Sequence, residues 1–427
     1  MKLLCSVLKT WLTCGLLVGL PLITTAANSA AQDRQGLMLQ RAVIQQRASS
    51  RVHQSEQAPT SGPTWTLLFP SFSTSELFFE TLLSEHSAVY DSGTNTMIVF
   101  GGLDQTDNLR SATLVETNAN GSAGIDAGTW TELSVDSFNT PPARIFHSAV
   151  YDQTNNRMIV FGGCADLACD VPLNDTWVLS NANGTGGAPT WTQLAPTGIV
   201  PSQRYFQNAV YDASNNRMIV YSGQATGLIS LSDVWVLSNA NGLGGTPAWT
   251  QLSPTGGAPD AQDQSAAVYD PTSNTLIVFG GWNYVNSVWT LSNANGLTGT
   301  PAWKNQIANG AKGAPAGRYA AQAVYDPSSN RMTIFGGNGD FGSISPDYDY
   351  GMYNDAWVLA NANGSGGTPT WTQLHPKFNG DGTMLPGTRT WFSAVRDPNT
   401  NSMIIFGGIN IEAAYGGSWV LSHANGL

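Results

Sequence analysis

The sequence predicts an all-β fold assembled from six copies of one four-stranded unit. Its most informative feature is a five-residue motif, typified by Ser-Ala-Val-Tyr-Asp at 87–91, that occurs six times in similar form. The central valines of the copies, at 89, 150, 210, 268, 324 and 395, lie 56 to 71 residues apart. A long period of this kind indicates units that cannot bury their apolar faces alone and must stack on their neighbours.

Four short segments recur in order within each unit, and all four have the character of strands. The first is the Ala-Val-Tyr segment, and the second is an apolar run closed by glycines, such as Met158–Gly163. The third carries Trp-Val-Leu, as at Trp177, and the fourth carries Trp-Thr-Gln-Leu, as at Trp191. Short runs that are rich in β-branched and aromatic residues and bounded by turn residues favour strands. No segment has sustained helical periodicity.

Turn residues separate these segments at fixed places. An aspartate opens the turn between the first two strands, and Asn-Ala-Asn-Gly, as at 181–184, separates the third strand from the fourth. Asn and Gly tolerate positive φ, so they suit a tight hairpin connection. We expect the glycine pair that ends the second strand to allow neighbouring backbones to approach closely.

Four strands per unit in radial repetition is the plan of a propeller. The sixth unit ends after its third strand, and the missing Trp-Thr strand is found near the start of the chain, at Trp65-Thr66-Leu67-Leu68. We therefore predict a six-bladed β-propeller of four-stranded antiparallel blades, closed by an N-terminal strand. Closure removes the exposed sheet edges that an open array would present.

The repeats resemble those of the kelch family, which includes the central domain of galactose oxidase. The resemblance rests on the strand ending Phe-Gly-Gly, on Asn-Asp-Thr-Trp-Val at 174–178, and on the Trp-Thr-Gln-Leu strand, and it covers roughly residues 63–427. Two units depart from the pattern, with Ser222-Gly223 in unit three and Leu114 in place of the third-strand Trp in unit one. The resemblance implies that the 4–1 and 2–3 loops share one face around the mouth of a central channel.

The N-terminal region lacks the repeat. Residues 1–31 have the basic start, apolar core and small-residue end of a signal peptide, and 32–62 form a Gln-, Arg- and Ser-rich segment that we expect to be a flexible leader. The propeller is expected at 63–427. These features predict a secreted or periplasmic protein with no membrane span after signal cleavage.

Composition restricts the partners. The net charge of −11 and the charged fraction of 11% argue against a nucleic acid or an anionic membrane surface as the partner. Two of the four cysteines lie in the signal segment, and we expect the other two, Cys164 and Cys169, to form a local disulfide in an oxidising compartment. We expect a monomer that binds a protein, peptide or carbohydrate ligand.

The 4–1 and 2–3 loops vary in length and content, whereas the turns of the opposite face are uniform, so function is expected on the variable face. An arginine recurs there six positions before the strand-one valine, with aromatic residues close behind it. Arginines at a channel mouth would form a collar suited to carboxylates, with aromatic faces for sugars or peptides. The alternative is that each arginine braces its blade. The candidate ligand-binding residues are Arg144, Arg204, Arg318, Arg389, Tyr205, Tyr319, Trp391, Trp282, Tyr348 and Tyr350.

Two further sets of residues bear on chemistry. The loop from Asn338 to Tyr353 mixes carboxylates with tyrosines, which favours a binding rim and leaves calcium as a weaker alternative. No other cofactor is indicated, because the chain has no nucleotide fingerprint, phosphate loop or regular metal-ligand spacing. His86 and His147 share one strand-one position and are either channel-facing acid–base groups or packed imidazoles.

Three functions remain open. A binding module for a glycan, peptide or surface protein is favoured over an enzyme. The alternatives are a carbohydrate-active enzyme of the sialic acid mutarotase type, which would need Arg and His at the channel mouth, and a structural component of an envelope or extracellular assembly. The fold by itself does not separate them.

Overall fold

A computed structural model shows six four-stranded antiparallel sheets arranged around a central axis, which confirms the predicted fold class. It describes residues 62–74, 77–136, 138–259, 262–339, 351–379, 385–410 and 414–427. The predicted signal peptide and nearly all of the predicted leader lie outside these ranges. Within them, the helical segments are one α-helical turn, Leu77–Glu80, and one 3-10 turn, Ala213–Asn215. No helix in the described ranges is long and apolar enough to cross a bilayer.

Each blade runs outward from the axis, with the first strands of neighbouring blades in contact around the ring. The strands, in the order one to four, are Ser87–Asp91, Thr96–Phe100, Thr113–Thr117 and Thr129–Glu132 in blade 1; Ser148–Asp152, Arg157–Cys164, Pro172–Ser180 and Thr190–Gln193 in blade 2; Asn208–Asp212, Arg217–Tyr221, Val234–Ser238 and Ala248–Leu252 in blade 3; Ala266–Asp270, Thr275–Phe279, Val288–Ser292 and Ala302–Ile307 in blade 4; Gln322–Asp326, Arg331–Phe335, Ala356–Ala360 and Thr370–Leu374 in blade 5; and Ser393–Asp397, Ser402–Phe406, Ser418–Ser422 and Thr64–Leu67 in blade 6.

Short strands extend the blades and the loop face. Ser71–Phe72 lies parallel to the fourth strand of blade 1, and Lys377–Phe378 lies parallel to the fourth strand of blade 6. Each of these segments follows the fourth strand of the preceding blade, so it links that blade to the next one. Two antiparallel pairs of two-residue strands lie in the loops, Leu83–Ser84 with Leu103–Asp104 and Gln224–Ala225 with Ile229–Ser230.

The ring is closed by the N-terminal strand, as predicted. Thr64–Leu67 pairs antiparallel with Ser418–Ser422, and Trp65 lies opposite Leu421. Beyond the strand, the Leu68 amide donates to the Ser418 carbonyl at 2.9 Å. Blade 6 therefore combines three strands from the C-terminal end of the chain with one from near its N-terminal end, so its sheet is complete only when the whole ring has formed.

One aromatic contact is repeated at all six blade interfaces. The tryptophan of each fourth strand packs against the aromatic ring near the end of the second strand in the preceding blade, with ring centroids 4.7–5.1 Å apart. The pairs are Trp130 with Phe406, Trp191 with Phe100, Trp249 with Phe161, Trp303 with Tyr221, Trp371 with Phe279, and Trp65 with Phe335. All twelve side chains are buried. Each blade therefore contributes one half of a contact that its neighbour completes.

A second ring of contacts joins the blades on the face of the 3–4 hairpins. The asparagine at the third position of each hairpin segment, which is Asn-Ala-Asn-Gly in blades 1–5 and His-Ala-Asn-Gly in blade 6, donates to the aspartate that ends strand one of the preceding blade, at 2.6–2.7 Å. The pairs are Asn120 with Asp397, Asn183 with Asp91, Asn241 with Asp152, Asn295 with Asp212, Asn363 with Asp270, and Asn425 with Asp326. The first residue of the segment adopts positive φ, as at Asn181 (52°), and so does the glycine that ends it, as at Gly184 (79°).

The glycine pair of strand two permits close approach between blades, as predicted. A Cβ atom on Gly162 would lie 2.8 Å from the Arg204 carbonyl oxygen of the next blade, and the Gly163 amide donates to that same oxygen at 2.9 Å. Blade 3 departs from the pattern with Ser222, which has a φ of 63°. Its hydroxyl donates to the Gln262 carbonyl at 2.6 Å and so replaces the close backbone contact with a hydrogen bond.

The Trp191→Ala substitution tests the aromatic ring. It should lower the free energy of unfolding by about 3–5 kcal/mol, because a fully buried indole is replaced by a cavity. The matched control is Trp357→Ala, which removes a half-buried third-strand tryptophan and should cost clearly less. Urea unfolding followed by circular dichroism measures both variants, and equal losses would contradict the special role of the interface contact.

A carboxyl group is buried beside the closure. Glu116 lies in the third strand of blade 1, where the other blades place a hydrophobic residue, and it is 0% exposed. Ser418 of blade 6 donates to its Oε2 at 2.5 Å. Burial raises the pKa of Glu116 to about 8, and the Ser418 hydrogen bond opposes this only in part. The carboxyl group is therefore mainly protonated at neutral pH.

Glu116 makes stability depend on pH. Its pKa in the folded state exceeds that of an unfolded glutamate, so its protonated form favours folding at low pH, and this contribution falls between about pH 4.5 and pH 8. Glu116→Gln should flatten this decline and raise stability at pH 8 by about 1–3 kcal/mol. Denaturant unfolding across this pH range measures the effect, and an unchanged slope would contradict it.

Candidate functional site

A ring of six residues surrounds the channel mouth on the face of the 4–1 and 2–3 loops. These residues lie four positions before each strand-one valine, and all have positive φ between 53° and 63°. Five of the six donate their backbone amide to the carbonyl of the corresponding residue in the preceding blade, at 2.8–3.2 Å. The members of this mouth ring are Glu85, Phe146, Phe206, Gln264, Ala320 and Trp391. Non-glycine residues held in this conformation often cluster where ligands bind.

Aromatic side chains cross the mouth ring. Phe146 packs on Phe206 with ring centroids 4.0 Å apart and on Trp391 at 5.6 Å. The Trp391 indole reaches from blade 6 to blade 4, where its Nε1 donates to Gln264 Oε1 at 3.2 Å. Phe146 and Trp391 are half-buried, so each presents part of its ring to solvent. Part of the rim is therefore aromatic, formed by Phe146, Phe206 and Trp391.

Below the rim lies a polar cavity of about 250 Å³, lined by strand-one residues from all six blades. His86 Nε2 is 2.9 Å from the Ser393 hydroxyl, and His147 Nε2 is 2.8 Å from the Ser87 hydroxyl, so each pair links two blades. Carboxamides of Gln207, Asn208, Gln264 and Gln322 add further donors and acceptors. The cavity lining includes no Lys or Arg among the described residues.

The titratable groups of the cavity are mainly uncharged at neutral pH. Burial lowers the pKa of His86 to about 3, and burial followed by the charge of Arg144 lowers the pKa of His147 well below its usual value. Burial and then the charge of Asp107 raise the pKa of Glu85 to about 8. The two histidines border the cavity, but they are buried, neutral, paired with serines and packed on Phe406 and Phe100, which agrees with the packed-imidazole alternative. The site suits uncharged polar groups.

The four predicted arginines lie inside the blades rather than at the mouth. Each is at most 2% exposed, so the predicted basic collar is not available to a ligand. Arg144 donates from Nη1 and Nη2 to both carboxylate oxygens of Asp175, at 2.8 and 2.9 Å. Arg204 makes the same bidentate pair with Asp233, and Arg318 with Asp355. This arrangement agrees with the alternative in which each arginine braces its own blade.

Arg389 has a different set of partners. Gly417 replaces the aspartate in blade 6, and the Arg389 guanidinium instead stacks on the Tyr415 ring, 4.3 Å from its centroid. Its Nη1 donates to the Gly407 carbonyl at 3.2 Å. Burial lowers the pKa of Arg389 to about 10, so it remains protonated at neutral pH. In all four blades Nη1 bonds a carbonyl of the second-strand Gly/Ser position.

The family comparison agrees with the repeats and the fold. The family described as the KLHDC2/KLHL20/DRC7 Kelch-repeats domain matches residues 79–237, which cover blades 1 and 2 and three strands of blade 3. Residues 79–237 therefore match kelch repeats, and they form part of a six-bladed β-propeller. The solved structure of YjhT covers 79% of this chain and 93% of its own, with a TM-score of 0.53 and 14% identity, which shows a shared fold.

Two curated proteins that are similar to part of this chain are from Chlamydomonas reinhardtii. Dynein regulatory complex subunit 7 is 29% identical over 131 residues, which are 30% of this chain and 10% of that protein. The dynein alpha chain of the flagellar outer arm is 27% identical over 190 residues, 43% of this chain and 4% of that protein. The match therefore spans only a small part of these relatives' length.

The predicted aromatic residues occupy three kinds of place. Trp391 belongs to the mouth ring, whereas Tyr205 is buried beneath the loops, with its hydroxyl donating to Gln224 Oε1 at 2.5 Å. Tyr319 is buried against Trp282, with ring centroids 5.1 Å apart, and Trp282 is half-buried in the blade-4 loop. Tyr348 and Tyr350, with most of the loop considered for calcium, lie outside the described residues.

The predicted disulfide is present, and part of the site was missed. Cys164 and Cys169 are bonded within the 2–3 loop of blade 2.

Glu85 and Gln264 were not singled out from the sequence, because they share no residue type with the aromatic members of the mouth ring. Their common spacing from the strand-one valine is a usable signal, and it becomes meaningful once a positive φ is known at that position.

The bracing role predicts different losses for two arginines. Arg204→Ala should cost about 2–4 kcal/mol of stability, because it leaves a partly buried Asp233 carboxylate without its cation. Burial alone raises the pKa of Asp233, but the hydrogen bonds and charge of Arg204 hold it below its usual value. Arg389→Ala strands no carboxylate and should cost less. Thermal and urea unfolding measure both, and a larger loss for Arg389→Ala would refute the carboxylate argument.

Proposed function

We propose that this propeller is a binding module that holds its ligand at the channel mouth, on the face of the 4–1 and 2–3 loops. Kelch propellers serve generally as interaction modules, which supports binding as the broad function. The observation that carries the proposal is the polar cavity of about 250 Å³ beneath a partly aromatic rim. The ligand is a glycan, a peptide or a protein surface that inserts an uncharged polar group into the cavity.

The chemistry of the lining supports this choice of group. Serine hydroxyls, carboxamides and neutral imidazoles exchange hydrogen bonds with hydroxyl or amide groups, and the half-buried Phe146 and Trp391 provide faces for a sugar ring or an apolar side chain. A carboxylate would lose its hydration in the cavity without meeting a cation, which costs several kcal/mol. Neutral ligands are therefore favoured over acidic ones.

The mutarotase alternative required Arg and His together at the channel mouth. Two histidines line the cavity, but the arginines are buried in the blades and paired there. This placement supports binding over acid–base chemistry on an acidic sugar. No observation favours a purely structural role.

Export is part of the proposal. It is supported by the signal-like pattern of residues 1–31 and by the Cys164–Cys169 disulfide, a bond that persists in oxidising compartments. Secretion and periplasmic residence both agree with these features. Fractionation of the expressing cell, with the mature N-terminus determined by mass spectrometry, tests this part.

Ligand binding is tested in two stages. The wild-type protein is screened on glycan and peptide arrays, with and without calcium, to obtain a ligand. Trp391→Ala should then weaken the binding of that ligand by about tenfold or more, because an aromatic anchor at the mouth is lost. Isothermal titration calorimetry measures the change, and thermal unfolding confirms that the variant is folded.

The matched control is Trp282→Ala, a half-buried tryptophan on the same face that does not line the cavity. The affinity of the Trp282→Ala variant for the array ligand should stay close to that of the wild type. A loss confined to Trp282→Ala, or two silent arrays, would rule out a ligand site centred on the channel.

A further inference from the structure

Six aliphatic side chains are exposed in three loops on the 4–1 and 2–3 face, all in blades 2 and 3. Their exposures run from 45% to 80%, although residues of this type are usually buried. They come from the blade-2 loop after strand two, the loop between blades 2 and 3, and the blade-3 loop after strand two. We call this set the aliphatic patch, and its members are Leu167, Val171, Ile199, Val200, Leu228 and Ile229.

Hydrogen bonds hold the three loops together. The Asn174 side chain donates to the Pro201 carbonyl at 3.0 Å, and the Arg204 amide donates to the Leu173 carbonyl at 2.9 Å. Tyr205 and Gln224 exchange backbone hydrogen bonds of 3.1 and 2.7 Å, which tie the inter-blade loop to the blade-3 loop. The Cys164–Cys169 disulfide constrains the remaining loop. The three loops that carry the patch are therefore joined to one another.

The surroundings of the patch are acidic. The loop segments 164–175, 194–203 and 222–233 contain four aspartates and no Lys, Arg or His. Asp175 and Asp233 are paired with buried arginines, whereas Asp170 is exposed and Asp166 bonds only to backbone amides of its own loop among the described contacts. Beneath Ser230, the fully buried Asp263 accepts hydrogen bonds from neutral donors. The uncompensated charge near the patch is negative.

We infer that the aliphatic patch binds a segment of a partner protein in which Lys or Arg residues flank exposed aliphatic side chains. Apolar contact would bury the patch, and the basic residues would face Asp166 and Asp170. A second copy of this chain fits poorly, since the chain carries a net charge of −11 and would bring like charges together. The inference rests on the proposed role of this face in binding, but it uses a surface beside the channel rather than the cavity.

The test uses a fluorescein-labelled amphipathic peptide of leucine and lysine, and its leucine–glutamate counterpart. Fluorescence anisotropy should show that the wild-type protein binds the lysine peptide, and that Ile199→Ser/Leu228→Ser weakens this binding by about tenfold or more. The matched control is Leu243→Ser/Leu297→Ser, which removes two exposed leucines from the 3–4 hairpins of the opposite face and should leave affinity within about twofold. Unfolding curves verify that both variants are folded.

Several results would overturn the inference: no binding of the lysine peptide, equal loss in both double variants, or equally tight binding of the glutamate peptide. Sedimentation that shows wild-type dimers abolished by the patch substitutions would assign the patch to a second copy instead. The array ligand of the channel is titrated into the same variants. If the wild-type protein binds the array ligand but not the lysine peptide, the patch inference fails and the proposed channel function stands; if the patch variant loses the lysine peptide but keeps the array ligand, both are supported.

Discussion

The structure depends on one contact, the packing of a fourth-strand tryptophan on the second-strand aromatic ring of the preceding blade. Because the two rings belong to different blades, no blade completes its own core. The contact between Trp65 and Phe335 is the sixth member of this cycle, and it exists only when the N-terminal strand has joined blade 6. Closure of the chain and completion of the core are therefore the same event, which explains why the strand pairs at Thr64–Leu67 are as regular as those within a blade.

The two faces of the ring perform different tasks. On the hairpin face, the asparagine–aspartate ring repeats without exception, and its donors and acceptors are used between blades. On the loop face, the repeat is broken where the site lies. Blade 1 has Leu83 and blade 4 has Gln262 where four other blades have the bracing arginine, and these two blades contribute Glu85 and Gln264 to the mouth ring. The departures from the repeat thus coincide with the polar members of the channel mouth.

Arg204 shows why the recurrence of arginine in the sequence did not distinguish a ligand-binding role from a bracing role. An arginine that recurs beside aromatic residues at a channel face fits a ligand collar as well as it fits a brace. The difference is decided by Asp233, which is 29 residues away and becomes a partner only when the strands pair. The same limit applies to Gln264 and Trp391, whose hydrogen bond crosses the channel between blades 4 and 6. Side chains separated by 127 residues carry no mutual signal in one sequence.

The sequence by itself determined the number of blades, the order of their strands, the closing strand and the disulfide, because each follows from local apolar patterns, turn residues and a repeated spacing. Only the tertiary structure decided which side chains face the channel. That outcome depends on the direction in which each loop residue points, and a positive φ at six positions of different residue type sets this direction. The apolar pattern along the chain indicates which residues are buried between blades, whereas the site is formed by loops from all six blades that meet near the axis.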